Sequence, residues 1–433
     1  MSHSKTVHFK NKVLSGNLAV PGDKSISHRA VMLGSIAEGK TLITGFLDGD
    51  DCLRTIEMFK QVGVTIERIG TTVSIDSPGI AKWQTPTAEL YAGNSGTTAR
   101  LMLGILAGSN ITAVMTGDES LSKRPMDRVT VPLRMMNAAI TSEAKADLLP
   151  LKITGRATQI SAIDYENPVA SAQVKSAILF GGLHAKGKTI VREKTVSRDH
   201  TEQMLTHFGA EIHPEDGNVS IMGGTKLHGT TVQVPGDISS AAFFMVAAGM
   251  TKGSCITLTN VGLNPTRSGI IDVLLSMGVK IEVLDETAEN GERSGTIKVS
   301  FDKIEPTEIS GELIPRLIDE LPVIALLATQ AEGTTIIKDA AELRVKETDR
   351  IAAVTNELNK IGANIEATSD GMIIHGPTSL TGGKMDSYGD HRLGMMAGIA
   401  SLITSGPVEI KDPACIDISY PSFFEDLETI VGK

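Results

Sequence analysis

The tetrapeptide Val-Pro-Gly-Asp stands at residues 20–23 and again at 234–237, and each copy opens the same succession of elements. After each, the pattern predicts a helix, a strand rich in Val, Ile and Thr, a second helix and a further strand. Four more copies open at Gly93, Asn167, Asp319 and Gly389, so the starts lie roughly 65 to 85 residues apart. The sequence therefore predicts a sixfold internal repeat, with a period longer than that of solenoid repeats.

Alternating helices and strands of this kind are typical of α/β architecture. A chain of 433 residues exceeds the size at which one hydrophobic core keeps growing, so two domains are expected. Six copies divide into three and three, and the two Val-Pro-Gly-Asp turns are the natural crossing points between the halves. We predict an N-terminal domain of residues 20–234 and a C-terminal domain of residues 1–19 plus 235–433.

Composition argues against several classes of partner. A net charge of −10 and a pI near 5.5 disfavour nucleic acid and anionic membranes, and 3% aromatic residues is low for a base-stacking surface. The three cysteines, at 52, 255 and 415, lack C-x-x-C spacing and are interpreted as packing residues in a reducing cytoplasm. Residues 1–12 are polar, so no signal peptide is expected, and the longest apolar run, 241–250, is half the length that a bilayer needs.

Polar residues cluster in the loop that opens the first helix of every copy. In the first copy, Pro21 and Gly22 end a strand pattern, and Lys24, Ser25 and Arg29 lie at the start of the following helix. A helix N-terminus with two cations is suited to an anion, phosphate above all, although a solvated basic turn explains this segment equally well. If the six copies are oriented alike, several such helix starts point at one region and form a strong anion site.

The loops at 93–100 and 121–126 offer further candidates. Asn94 and Gly96 lie in a small-residue turn that would let a ligand approach the backbone, although a tight turn with an N-cap is the commoner reason for such a pattern. Arg124 precedes Pro125 and is therefore expected to be extended, where it could grip a carboxylate or phosphate or simply be solvated.

The C-terminal half places acids beside its cations. Asp319 and Glu320 lie in an apolar stretch, where a carboxylate needs a partner or an altered pKa, as at sites of acid–base chemistry. In 344–350 Glu347 and Arg350 are three apart and can pair, although a surface ion-pair helix is the usual explanation of such a segment. The segment 389–392 again puts a cation pair at a helix start. No metal-ligand spacing and no G-x-S-x-G motif is present, so neither a metal nor a cofactor is expected.

Taken together, these motifs closely resemble the 5-enolpyruvylshikimate-3-phosphate synthase family. The matching segments are P-G-D-K-S-I-S-H-R-A at 21–30, G-N-S-G-T-T-A-R at 93–100, K-R-P-M at 123–126, A-S-A-Q-V-K-S-A at 170–177, R-V-K-E-T-D-R at 344–350, G-D-H-R at 389–392 and S-Y-P-S-F at 419–423. The resemblance implies two domains, each of three βαβαββ units, that close on substrates bound in the cleft between them. It also implies transfer of the enolpyruvyl group of phosphoenolpyruvate to shikimate 3-phosphate in aromatic amino-acid biosynthesis, by a cytoplasmic monomer, and competition by glyphosate with phosphoenolpyruvate.

Residue by residue, the resemblance implies three overlapping groups. Shikimate 3-phosphate would be held by Lys24, Ser25, Arg29, Ser171, Ala172, Gln173, Arg198, Asp319 and Lys346. Phosphoenolpyruvate would be held by Lys24, Asn94, Gly96, Arg124, Gln173, Glu347, Arg350, His391 and Arg392. Asp319, Glu347 and Lys24 would be catalytic: Asp319 takes the hydroxyl proton, while Glu347 or Lys24 protonates the methylene carbon.

Two positions depart from the pattern of many relatives. Ala172 stands where they carry a second serine, and Ile418 stands where they carry a lysine, so one hydroxyl and one cation are missing. Both differences suggest the subgroup with altered inhibitor response. The related enzyme that acts on UDP-N-acetylglucosamine is the nearest alternative, but it carries Lys-Asn in place of Lys24-Ser25 and a loop cysteine that is absent from 121–126. The second alternative is a non-catalytic anion-binding protein, which is disfavoured because Asp319 and Glu347 would weaken the binding of an anion.

Overall fold

The computed structural model describes residues 4–10, 12–142, 147–156, 159–215, 217–288 and 292–432. Contacts divide the chain into two compact units. The N-terminal unit comprises the described residues of Gly22–Val234 and Glu289–Glu292, and the C-terminal unit those of Met1–Pro21, Pro235–Ala288 and Arg293–Lys433. Each unit has its own hydrophobic core.

Strands and helices alternate along both units. The strands are β1 (Ser4–Val7), β2 (Ser15–Ala19), β3 (Glu38–Thr44), β4 (Thr65–Ile69), β5 (Thr72–Pro78), β6 (Leu90–Tyr91), β7 (Thr112–Thr116), β8 (Ala139–Ser142), β9 (Leu151–Thr154), β10 (Asp164–Asn167), β11 (Lys188–Glu193), β12 (Ile212–Glu215), β13 (Asn218–Met222), β14 (Thr231–Gln233), β15 (Cys255–Gly262), β16 (Lys280–Thr287), β17 (Ser294–Ser300), β18 (Glu308–Ile309), β19 (Gly333–Ile337), β20 (Asn364–Ala367), β21 (Met372–Gly376), β22 (Gly383–Asp386) and β23 (Val408–Lys411). The α-helices are α1 (Lys24–Ile36), α2 (Asp50–Gln61), α3 (Gly96–Ala107), α4 (Asp127–Met135), α5 (Ala172–Gly182), α6 (His200–His207), α7 (Ile238–Met250), α8 (Gly269–Ser276), α9 (Leu321–Ala328), α10 (Arg350–Lys360), α11 (His391–Ala400) and α12 (Phe423–Val431).

Each unit contains three small mixed sheets, which confirms the predicted α/β class and its sixfold repeat. The N-terminal sheets have the orders β14-β3-β5-β4, β6-β7-β9-β8 and β10-β11-β13-β12. The C-terminal sheets have the orders β16-β17-β15-β2, β18-β19-β21-β20 and β1-β23-β22. Every sheet holds one parallel pair, and four of those pairs, such as β6 and β7, are joined through the first helix of their own copy.

The two remaining parallel pairs involve the Val-Pro-Gly-Asp turns. β2 pairs with β15 in the C-terminal unit and then leads into α1 of the N-terminal unit, whereas β14 pairs with β3 and leads into α7. Glycine is required at both turns because a Cβ on Gly22 would lie 1.9 Å from the carbonyl oxygen of Gly45, and one on Gly236 3.0 Å from that of Asn260. At each of these two turns, the glycine thus lies too close to the backbone of its own unit to allow a side chain.

The first helix of each copy is buried almost all round. All thirteen residues of α7 are buried, as are all eight of α9 and all ten of α11, which is what an apolar helix without a polar face requires. No helix formed by the described residues has the length and hydropathy that crossing a bilayer demands. Cys52 and Cys415 are buried, but Cys255 is exposed, so its interpretation as a packing residue is wrong. It begins β15, where buried and outward-facing residues alternate.

Candidate active site

The N-terminal unit places Lys24 and Arg29 on the first turns of α1. Asp23 caps the helix, its carboxylate accepting a hydrogen bond from the N–H of Ile26 at 2.9 Å, so the helix begins where the Pro-Gly break predicts. Lys24 forms an ion pair with the buried carboxylate of Asp51 on α2. Its ammonium is therefore held at the helix N-terminus by a fixed countercharge.

Arg29 is buried and joins three helices. Its Nε donates to Oγ1 of Thr201 at 2.6 Å, its Nη2 to Oγ of Ser176 at 2.9 Å and its Nη1 to the carbonyl of Ser25 at 3.1 Å. Ser176 lies on α5 and Thr201 on α6, so this guanidinium ties the start of α1 to both.

The loop before α3 gathers two further guanidinium groups. Nη2 of Arg124 donates to Oδ1 of Asn94 at 2.8 Å, and the amide of Asn94 donates to Asp118 at 2.8 Å. Arg124 is extended, with φ −84° and ψ 130°, which confirms the prediction made from the following proline. Its buried Nε has no hydrogen-bond partner among the described residues, so this donor is not committed to the surrounding loop.

Gly96, the first residue of α3, faces these cations. A Cβ at Gly96 would lie 3.2 Å from Nη1 of Arg100 and 3.6 Å from Nη1 of Arg124. Arg100 in turn donates to Oε1 of Gln173 at 2.7 Å, and Nε2 of Gln173 donates to Oγ1 of Thr97 at 3.0 Å. The starts of α3 and α5 are thereby joined, and two guanidinium groups meet at a helix N-terminus, an arrangement suited to an anion.

A buried histidine adds a neutral link among the same helices. Nδ1 of His28 lies 2.8 Å from Oγ1 of Thr55, which lies 2.9 Å from Oγ1 of Thr98 on α3. Burial, and after it the charges of Lys24 and Arg29, hold the pKa of His28 well below its ordinary value. The ring is therefore neutral at physiological pH and adds no charge to the site.

The start of α5 and the loop before α6 carry the remaining predicted residues of this unit. Ser171 precedes α5 without capping it through its side chain, and Ser171, Ala172 and Gln173 are half-buried. Half-buried Arg198 lies five residues after the end of β11 and two before α6 begins. Ser171 is placed at a helix N-terminus with its hydroxyl uncommitted to that helix.

In the C-terminal unit, three carboxylates surround Arg350. This guanidinium is 1% exposed and donates through Nε to Asp390 at 2.8 Å, through Nη1 to Asp319 at 3.1 Å and through Nη2 to Glu347 at 2.7 Å. Burial lowers its pKa, but Asp390, Glu347 and Asp319 outweigh that effect and hold the pKa above its ordinary value. The predicted pairing of Glu347 with Arg350 is confirmed, and because Arg350 is buried, a surface ion-pair helix does not describe this segment.

Lys346 reaches the same cluster from outside the helix. Its Nζ lies 3.6 Å from Oδ1 of Asp319, although α10 begins only at Arg350. Asp319 is therefore shared by two cations. Its side chain remains 15% exposed and that of Glu347 25% exposed, so both carboxylates combine a fixed position with access for a ligand.

Glu320, which stands with Asp319 in the apolar stretch of the sequence, is in none of the predicted ligand sets. It is 0% exposed, accepts a hydrogen bond from the hydroxyl of Ser239 on α7, and lies 3.9 Å from Nη1 of Arg392 on α11. Arg267 also donates to Oγ of Ser239, at 2.6 Å. Glu320 thus joins the starts of α7, α9 and α11, and these contacts supply the partners that a carboxylate in an apolar stretch needs.

Within each unit, hydrogen bonds and ion pairs bring several of the predicted residues together. In the N-terminal unit hydrogen bonds connect the starts of α1, α3 and α5, and in the C-terminal unit they and an ion pair connect the starts of α7, α9, α10 and α11. Buried His391 opens α11 beside Arg392. Ile418 packs against the apolar core and supplies no cation. Within the described ranges, no three His, Cys, Asp or Glu side chains group in a way that could hold a metal ion.

The chain is similar to known proteins both in sequence and in fold. Residues 9–427 match the family model described as EPSP synthase (3-phosphoshikimate 1-carboxyvinyltransferase). A 3-phosphoshikimate 1-carboxyvinyltransferase of Bacillus licheniformis is 55% identical over 97% of this chain and 98% of its own, and one of Bacillus subtilis is 52% identical over 98% and 99%. A solved EPSP synthase of Acinetobacter baumannii, 43% identical, superposes with a TM-score of 0.89 over 99% of this chain and 98% of its own.

Proposed function

This chain belongs to the EPSP synthase family, and from that premise we propose which of its residues bind the substrates and which move the protons. The reaction is the transfer of the enolpyruvyl group of phosphoenolpyruvate to the 5-hydroxyl of shikimate 3-phosphate, with release of inorganic phosphate. It is a step of the shikimate pathway, which leads to the aromatic amino acids. We propose that the sets of polar residues in both units act on this one pair of substrates.

Shikimate 3-phosphate is assigned mainly to the starts of α1 and α5. Lys24, Ser25 and Arg29 supply cations, a hydroxyl and helix N–H groups, and Ser171, Ala172 and Gln173 supply a second helix start. Arg198 adds a guanidinium that suits a phosphate bidentately. From the C-terminal unit, Asp319 and Lys346 complete the set, since they lie 3.6 Å apart and offer both an acceptor and a donor to a hydroxyl.

Phosphoenolpyruvate carries a phosphate and a carboxylate, and we assign it to the guanidinium groups of both units. Arg124 has the uncommitted Nε, and Gly96 leaves space beside it. Arg350 and Arg392 are held in place by buried carboxylates, so they are preorganised for an anion. The complete set for this substrate is Lys24, Asn94, Gly96, Arg124, Gln173, Glu347, Arg350, His391 and Arg392.

The observation that carries the proton-transfer proposal is the single guanidinium of Arg350 holding both Asp319 and Glu347. Asp319 accepts the proton of the 5-hydroxyl as that oxygen attacks C2 of phosphoenolpyruvate. Glu347 or Lys24 donates a proton to the methylene carbon, giving a tetrahedral adduct. The adduct then returns a proton from the new methyl group to the residue that had donated it, as the C–O bond to phosphate breaks, which forms the enol ether and releases phosphate.

The substitution Asp319→Asn tests this assignment. The amide keeps the shape and some hydrogen bonding but cannot accept a proton, so shikimate 3-phosphate should bind within roughly tenfold while turnover nearly disappears. Asp349→Asn is the matched control, because Asp349 caps α10 and asparagine is an equally good cap. Calorimetric binding and phosphate release are measured on both variants. Retained turnover with lost binding would make Asp319 a ligand rather than the base.

A second comparison separates this function from its rivals. Phosphate release should require shikimate 3-phosphate together with phosphoenolpyruvate. Release with UDP-N-acetylglucosamine instead would identify the related transferase, and binding of both anions without release would identify an anion-binding protein. The last alternative is disfavoured because Asp319 and Glu347 place negative charge where an anion would bind.

We further propose a monomer located in the cytoplasm. Each assigned residue whose contacts are described above is held by residues of this chain, so no second copy is needed to complete the site. Cys52, Cys255 and Cys415 are thiols that form no disulfide, which suits a reducing compartment. Light scattering after size-exclusion chromatography tests the first point, and cell fractionation tests the second.

A further inference from the structure

A buried ion cluster in the N-terminal unit has no role in the assignments above. Nζ of Lys175, on the second turn of α5, lies 2.8 Å from Oε2 of Glu193 and 2.7 Å from Oε1 of Glu202. The three side chains are 1%, 2% and 3% exposed. Burying one cation with two carboxylates is costly, and a well-packed apolar group would often be more stable in its place. Such a cluster therefore calls for an explanation other than stability.

The cluster binds every backbone and side-chain polar group of Ser197. Oε1 of Glu193 accepts from the hydroxyl of Ser197 at 2.6 Å, and Oε2 accepts from its N–H at 3.2 Å. Nζ of Lys175 donates to the carbonyl oxygen of Ser197 at 3.3 Å. The peptide units on both sides of Ser197 are fixed by these bonds, although the residue lies in a loop without regular secondary structure.

The next residue after Ser197 is Arg198, and the neighbours of the cluster also fix Arg29. Ser176 follows Lys175 directly, Thr201 precedes Glu202 directly, and both hydroxyls accept hydrogen bonds from Arg29. The guanidinium group of Arg29 and the backbone directly before Arg198 are thus held by residues of the cluster or adjacent to it.

We propose that the cluster of Lys175, Glu193, Glu202 and Ser197 is a positioning device that holds Arg198 in place for the phosphate of shikimate 3-phosphate. This inference rests on the proposed function, which assigns Arg198 to that substrate. The cluster touches no substrate, and its residues act through the backbone of the loop. Preorganisation of this kind lowers the cost of ordering a flexible arginine when the anion binds.

The charges of the cluster are consistent with a permanent structure. Burial acts to lower the pKa of Lys175, but Glu202 and Glu193 raise it above its ordinary value, so the ammonium stays charged. Burial raises the pKa of Glu202 despite the opposing effect of Lys175. The carboxylate of Glu193 is the one that holds Ser197, and its two oxygens accept from three donors.

A double-mutant cycle tests the proposal. Ser197→Ala removes only the hydroxyl contact, and it should weaken binding of shikimate 3-phosphate roughly five- to tenfold, with a rise in its KM and little change in the KM of phosphoenolpyruvate. Arg198→Gln alone should weaken binding of shikimate 3-phosphate by about tenfold or more, because a charge-assisted contact is lost. Combined with Arg198→Gln, Ser197→Ala should have almost no further effect, because the residue through which it acts is gone.

Two further variants complete the design. Ser77→Ala is the matched control, because Ser77 is a buried serine of the same unit whose hydroxyl donates to the carbonyl of Ser35. This substitution should lower the melting temperature about as much as Ser197→Ala does, but it should leave the KM values of both substrates unchanged. Lys175→Arg keeps the charge but changes the geometry from the other side of the cluster. It should reproduce the selective effect on shikimate 3-phosphate, again only when Arg198 is present.

The outcomes distinguish the two levels of the argument. If Arg198→Gln leaves binding of shikimate 3-phosphate unchanged, the proposed role of Arg198 is wrong and the inference falls with it. Two results would overturn the positioning inference alone, with Arg198→Gln still weakening binding of shikimate 3-phosphate. In the first, Ser197→Ala and Lys175→Arg leave that binding unchanged. In the second, they weaken it by the same factor whether residue 198 is arginine or glutamine, and the cluster is then purely structural.

Discussion

Replacing Gly96 by alanine adds one methyl group at the point where two guanidinium groups meet the start of α3. The new Cβ would lie 3.2 Å from Nη1 of Arg100, closer than the usual van der Waals separation, and 3.6 Å from Nη1 of Arg124, an ordinary contact. Both neighbours are the ends of flexible side chains and can move by a few tenths of an ångström. The substitution should therefore disturb the site without disturbing the fold.

The size of the effect follows from that geometry. Overpacking costs ~1–3 kcal/mol, and the low end applies because no backbone atom is in the way. About 1 kcal/mol corresponds to a roughly fivefold rise in the KM of phosphoenolpyruvate, since 1.4 kcal/mol is tenfold. The KM of shikimate 3-phosphate and the melting temperature should change little. Glyphosate is longer than phosphoenolpyruvate, so its inhibition constant should rise by a larger factor than the KM does.

Gly104 provides the matched control, because it lies two turns further along the same helix. A Cβ there would lie 2.1 Å from the carbonyl oxygen of Ala177, a backbone atom that cannot move aside cheaply. Gly104→Ala should lower the melting temperature severely or prevent folding, whereas Gly96→Ala should not. Steady-state phosphate release and thermal melting are measured on both. An unchanged KM of phosphoenolpyruvate in Gly96→Ala, or equal factors for substrate and inhibitor, would show that Gly96 does not line the donor site.

Three other substitutions test the remaining assignments. Arg124→Ala should reduce kcat/KM by ~30- to 1,000-fold, because ~2–4 kcal/mol of transition-state stabilisation is lost. Lys123 is the exposed neighbouring cation, and Lys123→Ala should stay active, so equal losses in the two variants would refute the role of Arg124. Arg350→Met should lower the free energy of unfolding by ~3–5 kcal/mol, measured in urea, because Asp319, Glu347 and Asp390 lose their shared cation. Lys338→Met is the control, because it removes the cation of an exposed ion pair with Glu308 and should hardly change that free energy. Burial lowers the pKa of His184 from 6.5 to about 4, so the native state resists protonation and the free energy of unfolding falls as pH falls from 6.5 to about 4. His184→Gln should remove up to ~3 kcal/mol of that fall, measured by urea unfolding across this pH range. An unchanged pH profile would contradict this expectation.

Local signals in the sequence were sufficient for the fold. The Pro-Gly break predicts a helix near residue 24, where α1 begins, and the strand rich in Val, Ile and Thr that is predicted to follow is β3. These elements are determined by neighbours within a few residues. Recurrence of the same signals six times then predicts six similar sheets, because each copy can pair its strands in the same way.

The contacts within the candidate site were less predictable because their partners are distant in sequence. Glu347 and Arg350 are three residues apart, so their pairing could be predicted, but the partner of Arg350 at Asp390 is forty residues away. Glu320 and Ser239 are separated by 81 residues. The apolar stretch around Glu320 indicates that its carboxylate needs a partner but not which residue supplies it, and only packing of α7, α9 and α11 brings the pair together.

The balance of charge in the C-terminal unit favours proton transfer over simple anion capture. Asp319, Glu347 and Asp390 contribute three carboxylates around Arg350, and Lys346 adds a second cation at Asp319. A site that only captured anions would gain affinity by losing these acids, since each repels a phosphate. Asp390 is fully buried and already committed to Arg350, so it serves structure. Asp319 and Glu347 are partly exposed and held by the same arginine, so they are the two acids of this cluster that a substrate could reach for the proton transfers proposed above.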